Sequence, residues 1–122
     1  MERLKKILTL PLPPSINKYM IWAPRMKRFI HSSEAREYLE TIPLLVKQFC
    51  KKNKIEPIEE YTKIYLDFYL SRSNSDSHNY KKIIFDVLQK GEMFKDDRFI
   101  LDSTEKVEID RENPRVDVYF SI

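Results

Sequence analysis

The sequence has 122 residues, which is the usual size of one domain, and its 42% hydrophobic and 34% charged residues are typical of a soluble folded protein. The net charge is only +3, so the overall charge does not establish a polyanionic partner. Gly91 is the only glycine, which excludes a phosphate-binding P-loop and a dinucleotide-binding turn. We therefore expect no nucleotide cofactor.

Cysteine content and hydropathy limit the compartment and the metal chemistry. Cys50 is the only cysteine and there are two histidines, so neither a disulfide framework nor a zinc site built on these residues is expected. The N-terminal MERLKKILTLPLPPS is broken by prolines and lacks the ~7–15-residue apolar core of a signal peptide. No segment approaches the ~20 apolar residues of a membrane span. We expect a cytoplasmic protein without membrane association.

The first third of the chain combines a short strand with a basic segment. Residues 4–10 (LKKILTL) predict a strand, whereas residues 11–32 lack a sustained period and predict a loop with little regular structure. The loop interleaves cations with aromatic residues, a pattern typical of nucleic-acid surfaces. The cations are Lys18, Arg25, Lys27 and Arg28, and the rings are Tyr19, Trp22 and Phe29. The alternative is a basic loop whose aromatic side chains cover the core.

Hydrophobic periodicity predicts a helix and a strand in the middle of the chain. An amphipathic helix should begin at its N-cap Ser33 and run to about Lys52. Pro43 lies inside this helix and should kink or split it. Residues 61–72 alternate in the manner of a strand, with these side chains on one face: Ile64, Leu66, Phe68 and Leu70.

A second helix and further strands complete the predicted fold. Residues 79–90 carry an apolar stripe at helical spacing and are followed by Gly91, a common helix stop. FILDSTEKVEID then offers one or two strands, and RVDVYFSI offers a last strand that should form a hairpin with it. The order predicts a single α+β domain over residues 1–122, with a small mixed sheet packed against two helices.

Polar and charged residues surround the second helix: Asp76 and His78 before it, Asn79, Lys82 and Asp86 on one face of it, and Asp96 and Asp97 after it. The helix is about 18 Å long and the six residues after Gly91 span about 20 Å, so Asp97 can return to the level of Asp76. Two aspartates and one imidazole suit Mg²⁺ or Mn²⁺, which support phosphodiester hydrolysis, and Lys82 could offset phosphate charge. The alternative is that these residues only cap the helix and solvate its loops.

The spacing of these residues resembles the RusA family of Holliday junction resolvases, found in bacteria and their phages. The likeness covers nearly the whole chain, including LPLPPSINKY at residues 10–19 and HSSEAREYLE at residues 31–40. The family motif is Asp-x-Asp-Asn, a Lys three residues later, an Asp four after that, and an Asp pair ten beyond. It is matched without a gap by Asp76, Asn79, Lys82, Asp86 and the pair Asp96–Asp97. One position departs, because His78 stands where the motif has its second metal-binding Asp.

The resemblance implies a homodimer that binds four-way DNA junctions and cuts two strands symmetrically with Mg²⁺, or with Mn²⁺. Asp76, His78 and Asp97 would bind the metal, and Lys82 would act on the phosphate. The supporting residues would be Asn79, Asp86 and Asp96, with Asp86 orienting Lys82 or a backbone group. The four cations of the basic loop become the expected junction-contacting surface. The alternative is a junction-binding protein that kept the fold but lost efficient catalysis through His78.

Overall fold

The computed structural model describes residues 6–14, 20–72 and 78–120, and for Lys6, His78 and Asn79 it describes the backbone alone. Its elements in chain order are β1 (Lys6–Pro11), β2 (Met20–Ala23), β3 (Arg28–His31), α1 (Ser33–Asn53), β4 (Thr62–Leu70), α2 (His78–Lys90), β5 (Ile100–Ile109) and β6 (Arg115–Phe120). A 3₁₀ turn at Asp97–Phe99 precedes β5. The mixture of helices and sheet confirms the expected α+β class. None of the helices in the described ranges is long and apolar enough to cross a membrane.

The main sheet has four strands in the order β1-β6-β4-β5. β4 is parallel to β5 and antiparallel to β6, which is antiparallel to β1. The expected hairpin between the last two strands is wrong, because β4 lies between them, and FILDSTEKVEID contributes one strand rather than two. The connection crosses the end of β4, where the Asp110 N–H donates to the Leu70 carbonyl at 2.8 Å. Arg115 closes this turn by an ion pair with Asp110, also at 2.8 Å.

The core lies between one face of the sheet and the apolar stripes of the two helices. The predicted inward residues of β4 are all buried, as are the five stripe residues of α2: Tyr80, Ile83, Ile84, Val87 and Leu88. Because four of these five side chains are fully buried, the rotation of α2 about its axis is fixed. The residues on its opposite side must therefore face away from the core.

Helix α1 is continuous over 21 residues, so Pro43 does not split it. Its N-cap is Ser32 rather than the neighbouring Ser33, since the Ser32 hydroxyl accepts the Ala35 N–H at 3.1 Å. The helix ends where Lys54 turns into the left-handed region, with φ of 56°.

Gly91 marks a close approach between the two helices. A Cβ added at Gly91 would lie 2.4 Å from Cβ of Val46 and 2.9 Å from the Pro43 carbonyl oxygen, so only glycine fits against α1 here. The left-handed residue after α2 is instead Glu92, with φ of 64°. The glycine is thus required by packing, while its neighbour makes the turn.

Part of the segment expected to be an irregular loop is a β-hairpin. β2 and β3 pair antiparallel, with Trp22 opposite Phe29. The Met26 N–H donates to the Ala23 carbonyl at 3.1 Å in the connecting turn, and Lys27 takes a positive φ of 50°. Strands of four residues are too short to show a clear hydrophobic period, which is why the sequence pattern did not reveal them.

Candidate functional site

Helix α2 positions the residues of the expected site. Asp76 lies outside the described residues, as do the side chains of His78 and Asn79, although the backbone of His78 begins the helix. Lys82 is exposed and Asp86 is half-buried one turn later. The interval of four residues places these two on the same side of α2, away from the fully buried stripe.

Lysine 82, and not its neighbour Lys81, faces open solvent. The Lys81 ammonium forms an ion pair with the Asp102 carboxylate of β5 at 2.8 Å, and both side chains are largely covered. This contact holds Lys81 against the sheet edge. Of the two adjacent lysines, Lys82 is therefore the one presented for contact with an external anion.

Asp97 lies beside the last turn of the same helix. Its backbone N–H donates to Oε1 of Gln89 at 3.0 Å, and its side chain is exposed. The carboxylate of Asp96 caps the 3₁₀ turn by accepting the Arg98 N–H at 2.9 Å. The two members of the aspartate pair thus have different environments, since Asp96 is used within its own turn and Asp97 faces solvent.

Gln89 contacts the candidate site residue Asp97, and the sequence reasoning did not include it. It follows Lys82 by seven residues and Asp86 by three, so all three share one side of α2. That spacing was a usable signal, but glutamine carries no charge and was not singled out. Lys82, Asp86 and the Gln89–Asp97 contact together form what we call the α2 outer face.

The expected convergence of Asp76, His78 and Asp97 on one ion remains a prediction. Gln89 follows His78 by eleven residues, which is about 16 Å of helical rise. After α2 the chain passes the segment that precedes β4, where Phe94 pairs with Ile58 in a single β-bridge, and β5 then begins beside the start of β4. Ligands of one ion lie within about 2.6 Å of it, so His78 and Asp97 can share an ion only if their side chains extend along α2 toward each other. Among the described residues, no three acidic, cysteine or histidine side chains group as a metal site.

The hairpin presents a second candidate surface. Arg25, Lys27 and Arg28 are all exposed at or beside its turn, while Lys18 and Tyr19 lie outside the described residues. The rings of Trp22 and Phe29 meet edge to face, with centroids 5.3 Å apart. Both rings are exposed, so the alternative in which they cover the core is wrong for these two residues.

Comparison with known proteins identifies one family. Residues 11–120 match the sequence model described as Endodeoxyribonuclease RusA. No curated protein gives a significant match to the chain. The matched range begins at the last residue of β1 and ends at the last residue of β6, and it includes the hairpin, α2 and the 3₁₀ turn. A match over this much of the 122 residues means that the chain belongs to the RusA family of endodeoxyribonucleases.

Proposed function

We propose that this protein is a metal-dependent endodeoxyribonuclease that binds four-way DNA junctions as a homodimer and resolves them by paired symmetric nicks. The observation that carries the proposal is the α2 outer face, where Lys82 and Asp86 lie on the side of the helix away from its buried stripe and Gln89 holds the turn of Asp97 beside its last turn. Family membership supplies the reaction class, cleavage of DNA.

The metal site would be built from the two ends of α2. Asp76 and His78 would bind Mg²⁺ or Mn²⁺ from the start of the helix, and Asp97 would contribute its exposed carboxylate. Carboxylate oxygens with one imidazole nitrogen suit these ions, with the nitrogen favouring Mn²⁺. The bound ion would polarise the scissile phosphate and lower the pKa of an attacking water.

The chain's own residues would position the phosphate. Lys82 is exposed in the second turn of α2, and its ammonium would offset the negative charge that builds on the phosphate oxygens. Asp86, one turn further on, would orient that ammonium, with Asn79 supporting the start of the face. Asp96 would act indirectly by shaping the turn that carries Asp97.

The homodimer follows from the expected substrate. A four-way junction has near two-fold symmetry, so a two-fold protein would place one active site on each of two strands. The exposed cations Arg25, Lys27 and Arg28, together with Lys18, would contact the junction backbone. Such work on chromosomal or phage DNA fits a cytoplasmic protein.

The proposal is tested with an end-labelled synthetic four-way junction and a linear duplex that contains one of its arms. We expect paired nicks in the junction with Mg²⁺ or Mn²⁺, no cleavage of the duplex, and no cleavage in EDTA. Equal cutting of both substrates would contradict junction selectivity. Tight junction binding without cleavage under either metal would instead support a non-catalytic binding protein in which His78 has cost the activity.

A further inference from the structure

The β2–β3 hairpin carries an unusual amount of exposed apolar surface. It is a separate two-stranded sheet of four-residue strands, and such ribbons have little stability by themselves. Five large apolar side chains within it are at least two-fifths exposed: Met20 40%, Ile21 45%, Trp22 52%, Met26 54% and Phe29 63%. This concentration indicates that a partner covers the hairpin.

The charge of the hairpin indicates that the partner is a polyanion. Residues 20–31 contain three Arg or Lys residues and no Asp or Glu. Removing these three from the 22 Lys and Arg of the chain leaves 19, equal to the 19 Asp and Glu, so the hairpin holds the whole net charge of +3. A second copy of the hairpin packed on it by a two-fold axis would bring like charges together, whereas DNA would neutralise them.

The cations and rings occupy different parts of the hairpin. Arg25 and Lys27 lie in the turn, and Arg28 is the first residue of β3. Trp22 and Phe29 face each other across the two strands, one pair further from the turn. If the hairpin enters DNA with its turn leading, its cations would therefore contact phosphates and its rings would contact bases.

A groove beside the Phe29 ring would suit a displaced base. It has a volume of about 430 Å³ and lies between the hairpin and the first turn of α1. Its lining combines apolar groups with two guanidinium groups, from Met20, Met26, Arg28, Phe29, Ile30, His31 and Arg36. Guanidinium groups both stack on bases and bind phosphates, so Arg36 extends the surface beyond the hairpin itself.

We propose that the hairpin is a wedge that enters the open centre of a four-way junction, with Trp22 and Phe29 stacked on bases exposed at the strand crossover. This inference rests on the proposed junction substrate. In the open form of a junction the bases that border its centre lack a stacking neighbour on one side, whereas those of a linear duplex must first be unstacked. The wedge therefore favours the junction over the duplex, while the three cations favour both DNA forms.

Binding measurements in EDTA separate these contributions. Trp22→Ala and Phe29→Ala should each weaken junction binding about tenfold and leave duplex binding nearly unchanged, because each removes stacking on one base. Trp22→Phe should retain most of the preference. Leu44→Ala is the control, since Leu44 is 56% exposed but lies on α1, and it should change neither affinity.

A junction with 2-aminopurine at the crossover reports the stacking directly. The wild-type protein should change its fluorescence on binding, and Trp22→Ala should abolish that change at saturating protein. If the Trp22 or Phe29 variant loses junction and duplex affinity equally, the wedge is overturned and the hairpin is a general DNA surface. If light scattering shows that a variant differs from the wild type in molar mass, the wedge is overturned and the hairpin is a subunit contact. A wild-type protein that binds junction no better than duplex would overturn the proposed function itself. If both ring variants keep the wild-type junction affinity and fluorescence change, and the wild type cleaves junctions, the wedge alone is overturned.

Discussion

Oε1 of Gln89 accepts a 3.0 Å hydrogen bond from the backbone N–H of Asp97, so the last turn of α2 fixes the position of the aspartate that follows it. The contact uses the backbone of Asp97 and leaves its carboxylate exposed. In the proposed site, Gln89 would thus be a positioning residue that holds the proposed metal ligand Asp97 without itself touching the ion.

Removing this acceptor should weaken metal binding. We expect Gln89→Leu to raise the Mg²⁺ concentration for half-maximal junction cleavage by about tenfold, because Asp97 loses the contact that holds it. Gln89→Glu keeps an acceptor at the same place and should behave much more like the wild type. A metal titration of the cleavage rate checks both, and equal titrations for Gln89→Leu and wild type would remove Gln89 from the site.

The proposed metal ligands should be needed for cleavage but not for binding. Asp76→Asn and Asp97→Asn should each abolish cleavage, because each removes a direct ligand of the metal and should cost more than the roughly 10–100-fold lost with an outer-shell partner. Junction affinity should persist or rise, because a carboxylate that repels phosphate is gone. Asp102→Asn is the control, since Asp102 lies on β5 and forms an ion pair with Lys81. This variant should cleave at close to the wild-type rate. Wild-type rates in both site variants would show that the metal is held elsewhere.

His78 should make the activity depend on metal type and on pH. An imidazole must be neutral to bind a metal, so protonation below its usual pKa of about 6.5 should reduce activity as the pH falls. The wild type should favour Mn²⁺ over Mg²⁺, and His78→Asp should improve Mg²⁺-supported cleavage and flatten the acid limb of the pH profile. If His78→Ala cleaves like the wild type with both ions, His78 is only a residue of the helix start.

The hairpin cations should set the salt dependence of DNA binding. Replacing Arg25, Lys27 and Arg28 together by Ala should weaken junction binding and reduce the slope of log affinity against log salt by up to about 0.9 per lost phosphate contact. The measurement is fluorescence anisotropy over a salt series. The matched control removes the same charge from the exposed side of α1, at Lys47, Lys51 and Lys52. A larger change of slope in the control would move the DNA surface to α1.

The two residues after α2 should respond to substitution in opposite directions. Gly91→Ala should lower the free energy of unfolding by about 1–3 kcal/mol, because the new Cβ would overlap Val46. Glu92→Gly should be neutral or stabilise by up to about 1 kcal/mol, because glycine relieves the left-handed strain at φ of 64°. Urea unfolding followed by circular dichroism measures both. A stabilising Gly91→Ala would mean that α1 leaves room for a methyl group at this position.

The sequence by itself determined the elements whose buried face follows from a local hydrophobic period. The alternation of β4 and the stripe of α2 follow from side chains that point to one side every two residues or every three to four, and both are buried as predicted. The spaced motif from Asp76 to Asp97 likewise identified the family, since each interval is a property of the chain alone.

The tertiary structure decided what depends on partners distant in sequence. Strand order is one such property: β6 pairs with β1 and β4 rather than with β5, because neighbours in a sheet are selected by core packing as well as by short connections. The need for Gly91 is another, since it arises from Val46, which lies in a different helix. Gln89 shows the same limit within the candidate site. Its spacing places it on the same side of α2 as Lys82 and Asp86, but its contact with Asp97 exists only because the folded chain places the N–H of Asp97 against its side-chain oxygen.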